Sequence, residues 1–238
     1  MTAPPPALFV AHATRARLDE DRDAARFLAR LGADVPRPAA ALLLSPLWCT
    51  DAPVLAADAA AGTGARIREH LEAAGFACTE QHGRSPDADA AAPFEPVGAE
   101  AGVPVLQLSI QAEEGPAWHH ALGRALAPLR EEGVLVAASG GLLGAGVAQG
   151  PGGGFRDWMA GWLSAGEVGA LLDYRARAAD AGGDRPDAVS LLPLFVALGA
   201  GGERARGVNL YQGRAHGRAG DGAGGPAVDV WAFRGARG

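Results

Sequence analysis

ALLLSPLWCTD, Ala41 to Asp51, opens as an unbroken apolar run and closes on a short, partly polar corner. AAALLLS, Ala39 to Ser45, has the length and composition of a strand covered on both faces. In open α/β sheets the carboxyl ends of strands gather ligands and catalytic groups. Here the corner presents Pro46, Leu47 and Trp48, and no titratable side chain before Cys49 and Asp51. A buried strand therefore delivers a leucine to a place where chemistry is usually found.

Outward from that strand, elements of both types alternate. ALFVAH (Ala7 to His12) reads as a short buried strand behind the stiff Pro4–Pro6 entry, and PVLAAD (Pro53 to Asp58) as another. VPVLQLSI (Val103 to Ile110), VLVAASG (Val134 to Gly140) and the alternating VDVWAFR (Val228 to Arg234) complete the strands. Helical spacing of apolar residues predicts helices over DAARFLARLGADV (Asp23 to Val35) and ARIREHLEAAGF (Ala65 to Phe76). A long helix over Pro116 to Gly133 should bend near Pro128, and three more follow from Phe155 to Gly201. Residues 79–100 and Gly217 to Pro226 read as loops. The order predicts one α/β domain over residues 1–238, a central mixed, mostly parallel sheet flanked by helices.

Composition narrows the function classes. A net charge of −6 and the lack of a basic run argue against nucleic acid or an anionic membrane as partner. No lysine occurs, so a lysine nucleophile or Schiff base is excluded. Cys49 and Cys78 make neither a disulfide framework nor a zinc motif. The start MTAPPPALFVAH lacks a signal peptide's basic and apolar regions, and no apolar run is long enough for a membrane span. The expected location is the cytoplasm.

Local motifs carry little chemistry. SGGLLGAGVAQGPGGG follows a strand, but its spacing from Gly144 misses the dinucleotide fingerprint by one residue and no Walker lysine exists. His12, at a strand end, is the histidine placed for function. His119 and His120 are adjacent on a helix and point about 100° apart, which suits structural or exposed roles better than one shared metal. His70 and His82 read as surface residues, and His216 lies beside the glycine-rich loop. G-x-S-x-G and H-E-x-x-H are absent, as is any His/Asp/Glu cluster at ligand spacing.

Nevertheless PALFVAHAT, ARFLARLG, RPAAALLLSPLW, AGVPVLQLSIQ, ALGRALAPLREEGVLVAASG, ALLDYRARA and LLPLFVALGAGG form a specific pattern. Over nearly the whole chain it resembles the LigB-like class of extradiol ring-opening dioxygenases, of the DOPA dioxygenase type. The resemblance implies a LigB-like α/β sandwich with iron(II), or zinc in its place, at the strand ends, open sites for catecholate and O₂, and an acid/base histidine. The family's S-H-G-S-P phrase falls on Ala11 to Arg15 and keeps His12. S-A-H-W falls on Ser45 to Trp48, with Leu47 in the ligand's place. D-H-G-A-W falls on Asp87 to Ala91, with Ala88 for its histidine. S-G-S-x-T-H-N falls loosely near Ser139 to Ala145, with Gly144, and E-H-F-L-P-L on Val189 to Leu194, with Ser190. Roughly twenty pocket-wall residues of the family are missing between Asp58 and Ala65, as the resemblance has it.

A lone imidazole does not hold iron(II) tightly against water, so no metal is expected here and conventional extradiol activity is not either. One reading is a non-catalytic homologue, either a partner subunit of an intact dioxygenase homologue, or a self-associating or small-molecule-binding protein. Loss of the wall segment along with the ligands favours it. Another is an enzyme repurposed without metal for a small aromatic molecule. Its pocket would be lined by His12, Thr14, Arg15, Trp48, Cys49, Asp51, Tyr211 and His216, with His12 as general base and Arg15 holding an anion. A third rebuilds a metal site from His12, His216, Asp51 and Asp221. A pocket filled by Leu47 and Leu142 or Leu143 would speak against chemistry, and a polar one around His12 would speak for it.

Overall fold

The computed structural model describes residues 3–12, 14–98, 102–142, 154–178, 187–213 and 228–235. Four apolar strands run parallel at its centre: β1 (Ala7–Ala11), β2 (Ala40–Cys49), β5 (Val105–Ile110) and β6 (Val134–Gly140). Their side chains are almost all buried, as a sheet covered on both faces requires. On one flank β3 (Val54–Ala56) runs antiparallel to β5 and carries β4 (Thr79–Glu80). On the other, β8 (Asp229–Arg234) runs antiparallel to β1 and β7 (Arg206–Gln212) to β8. The eight-stranded order is β4-β3-β5-β2-β6-β1-β8-β7. This is the expected mixed α/β sheet.

One apolar cluster lies under α3 (Ala61–Ala73), α5 (Pro116–Leu126), α6 (Gly154–Ala165) and α9 (Ala188–Ala200). The other lies under α1 (Arg15–Glu20), α2 (Arg22–Asp34) and α4 (Ala88–Ala91). Asp21 caps α2 by accepting from the amides of Asp23 and Ala24 at 3.2 and 2.9 Å. The spine is α9, apolar on every side and buried from Leu191 to Ala200. Glycines let it lie close to α5: a Cβ on Gly123 would stand 2.1 Å from the Val196 carbonyl oxygen, and one on Gly199 2.2 Å from that of His120.

Two buried arginines tie this frame together. Arg130 donates to the carbonyls of Pro5, Ala200 and Gly201, so it holds the chain's entry against the end of α9. Arg156 on α6 grips the Asp229 carboxylate with two nitrogens and the Gly213 carbonyl at 2.9 Å.

Several local expectations change. The residues read as the loop 79–100 contain β4, α4 and a 3-10 turn over Ala92–Phe94. The long helix ends at Leu126 and continues as a 3-10 turn over Ala127–Arg130, because Pro128 lacks the amide that an α-helix needs. The EVGALLDYRARAAD helix is two short pieces, α7 (Val168–Leu172) and α8 (Tyr174–Arg177). Strand β7 and helix α1 have too little apolar periodicity to be read from sequence. Among the described residues no helix is long and apolar enough to cross a membrane.

Candidate functional site

The opening corner is a bulge, not a strand end. Leu44 pairs with Leu108 and Cys49 with Ile110, so four residues of β2, Ser45 to Trp48, stand opposite one residue of β5. Ser45 turns inward and accepts the Leu47 amide at 3.1 Å. Leu47 is thrown outward, 59 % exposed. Trp48 is buried, and the Arg84 guanidinium lies 4.2 Å over its ring. Arg84 in turn pairs with Asp87, whose carboxylate accepts from Gln107 at 2.7 Å. Leu47 therefore fills no pocket. Leu142, 2 % exposed, packs into the core, and Leu143 lies outside the described residues.

His12 follows β1 directly. Its amide donates to Gly140 at 3.0 Å, which fixes it at the end of β6. There its Nε2 meets the Ser139 hydroxyl at 2.8 Å. Its Nδ1 is buried and has no hydrogen-bond partner. Burial holds the imidazole neutral, its pKa lowered to about 4, although the Asp89 carboxylate works in the opposite sense. Asp89, on α4, also accepts the Arg15 amide at 2.9 Å. The phrases beginning at Ala11, Asp87 and Ser139 thus meet in space. The fifth joins them from behind: the Gly141 amide donates to the Ser190 carbonyl, and a Cβ on Gly140 would stand 2.5 Å from that oxygen.

The other candidates are placed as follows. Thr14 is exposed and its carbonyl accepts the Leu18 amide at the start of α1. The Arg15 guanidinium pairs bidentately with Glu95, so its charge is already matched and the anion-holding role loses its support. Cys49 is exposed, its thiol donating to Pro46; burial and the nearby Asp187 raise its pKa, which leaves it a poor nucleophile. Asp51 is exposed on the bend beyond β2. Tyr211 stacks on Phe27 of α2 at 5.0 Å, and that contact occupies its ring. His216 and Asp221 lie outside the described residues.

A second polar cluster caps β5. Ser109 accepts from the Val54 amide and the Thr50 and Gln111 side chains. Buried His119 bonds through both nitrogens, to the Gly115 carbonyl at 3.0 Å and the Gln111 amide at 3.4 Å. Its expected structural role agrees with these contacts.

No family model matches the chain. It is 34 % identical over 166 residues to a 4,5-DOPA dioxygenase extradiol of Portulaca grandiflora, covering 65 % of this chain and 61 % of that protein. With that of Beta vulgaris it shares 27 % identity over 240 residues, 83 % of this chain and 87 % of the relative. The chain is thus similar to DOPA dioxygenases of the LigB-like extradiol family. The family protein of the same name in Escherichia coli strain K12 is 30 % identical over 171 residues, 57 % of this chain and 58 % of that one. The match thus spans about three-fifths of the Portulaca and Escherichia coli relatives. A solved structure of an uncharacterized protein from Escherichia coli K12 superposes with a TM-score of 0.73 over 97 % of this chain and 100 % of that one, at 22 % identity, a likeness of fold.

The iron or zinc that the family implies does not fit the described side chains. Leu47 and Ala88 carry no donor atom. The Ser190 hydroxyl is bound to Asp187, which also caps α9 through the amides of Val189 and Ser190. Nε2 of His12 is engaged by Ser139. Among the described residues no three His, Cys, Asp or Glu side chains converge as a metal site. Sequence reasoning did not single out Ser139 or Asp89. The available signal was the strand end itself, since Ser139 closes a strand that pairs beside His12.

Proposed function

We propose that this chain is a metal-independent member of the extradiol family, whose strand-end site acts on a small aromatic or related molecule. The observation that carries this reading is the His12–Ser139 pair, a neutral imidazole at 2.8 Å from a hydroxyl where several metal donors would have to converge. The relatives named for DOPA support an aromatic ligand. The bulge turns Leu47 into solvent, so that side chain does not fill the strand-end site.

The test is metal retention. After anaerobic incubation with iron(II) or zinc and desalting, the chain should retain far less than one ion, because a single preorganised donor does not compete with water. It should also leave DOPA uncleaved under oxygen. A tightly held ion at one per chain, lost in His12→Ala, would overturn the reading.

A second reading, a non-catalytic partner subunit, draws on the same bulge. Leu47 is a large apolar side chain left exposed on the β2 bulge, where a companion chain would cover it.

A further inference from the structure

A neutral imidazole needs no metal to be useful when its two nitrogens face different partners. Nε2 of His12 contacts the Ser139 hydroxyl at 2.8 Å. Nδ1 is buried and unpartnered, and the Asp89 carboxylate acts on the same ring. The tautomer protonated at Nδ1 leaves the Nε2 lone pair facing the serine hydroxyl, free to take its proton. The three residues come from β6, the end of β1 and α4, far apart in sequence. A serine and a histidine acting together are recognised by geometry and role, whatever their order in the chain.

The surroundings define what this group can accept. Ser139 is 4 % exposed, so only a small group reaches it. It is followed by Gly140 and Gly141, which carry no side chains. Arg15 is matched by Glu95 and Arg84 by Asp87, so neither cation is left over for an anionic substrate.

We propose that Ser139 and His12 form an acyl-transfer site for small uncharged esters or lactones. This rests on the metal-independent reading and adds the reaction class. Ser139 Oγ bonds to the carbonyl carbon of the ester as its proton passes to Nε2 of His12. The bond from that carbon to the alcohol oxygen breaks, and the departing alcohol takes the proton from Nε2. Water then attacks the acyl-serine with His12 again as base. The acid is released and the Ser139 hydroxyl restored.

The experiment treats the full chain with a small alkyl fluorophosphonate and maps the adduct by mass spectrometry, with and without a chelator. The expected result is one adduct on Ser139, unaffected by chelator. Ser139→Ala should abolish it, and His12→Gln should slow it by about 100-fold or more, the usual contribution of a general base. Asp89→Asn, on an exposed residue, serves as a variant that keeps the fold and should slow labelling by a smaller factor. Phenyl acetate should protect Ser139 and be hydrolysed. No adduct on Ser139 in the unmodified chain, or equal labelling in His12→Gln, overturns the proposal. Metal retention is read separately. A chain that binds no metal and is not labelled refutes only the acyl-transfer site, whereas a tightly held metal refutes the reading beneath it.

Discussion

His12, just after β1, and His119, on α5 against the residue that follows β5, are both held neutral by burial with pKa values lowered to about 4. Titration alone would rank them equally. Their hydrogen bonds separate them. His119 is fully buried and spends both nitrogens on backbone, one toward Gly115 and one toward Gln111. His12 spends one nitrogen on a side-chain hydroxyl and leaves the other uncommitted. A perturbed imidazole with every valence satisfied braces the fold. One with an open valence beside a hydroxyl still has something to do.

Acid offers the largest effect on this pair. In the unfolded chain each histidine takes a proton near pH 6.5, whereas in the fold it does so only near 4. The unfolded state therefore binds more protons between those values, and stability falls as pH drops through that window. Fully buried His119 should account for about 3 kcal/mol of this loss, and partly exposed His12 for less. Urea unfolding at pH 6.5 and 4.5 measures it, and His119→Gln should flatten the dependence more than His12→Gln. Equal slopes in all three proteins would show that neither ring is kept neutral. At neutral pH the contrast is smaller in size. His119→Ala should cost about 3 kcal/mol, from the cavity and the two backbone groups left unpaired. His12→Ala should cost about 1 kcal/mol, because it breaks one side-chain hydrogen bond at a partly open position. A His12 loss as large as that of His119 would make both rings braces.

The central sheet was legible because β1, β2, β5 and β6 are buried on both faces and so read as apolar runs. Edge strand β7 was not, since Arg206, Val208 and Gln212 face solvent and spoil its pattern. At the site, His12 could be found from sequence because it ends a strand. Asp89 could not, because its closeness to His12 depends on α4 folding back within a stretch that reads as loop. Arg15 and Tyr211 looked available only because their partners, Glu95 and Phe27, are distant in sequence.

Leu47 gives the smallest effect and the sharpest test of the corner from which the sequence reading began. A leucine that filled a vacated metal site would be a core residue, and Leu47→Ser would then cost at least about 2 kcal/mol. At 59 % exposure the same substitution should change stability by less than about 0.5 kcal/mol. Ser139 labelling should not change either, because the bulge carries Leu47 away from His12 by turning Ser45 inward. The measurement that remains is association. Sedimentation of the unmodified chain and of Leu47→Ser, each alone and each mixed with an intact DOPA dioxygenase, asks whether an apolar side chain on this bulge is covered by a companion. A complex that forms with leucine and weakens with serine would make the corner an interface. Identical profiles would leave Leu47 as an exposed side chain with no companion.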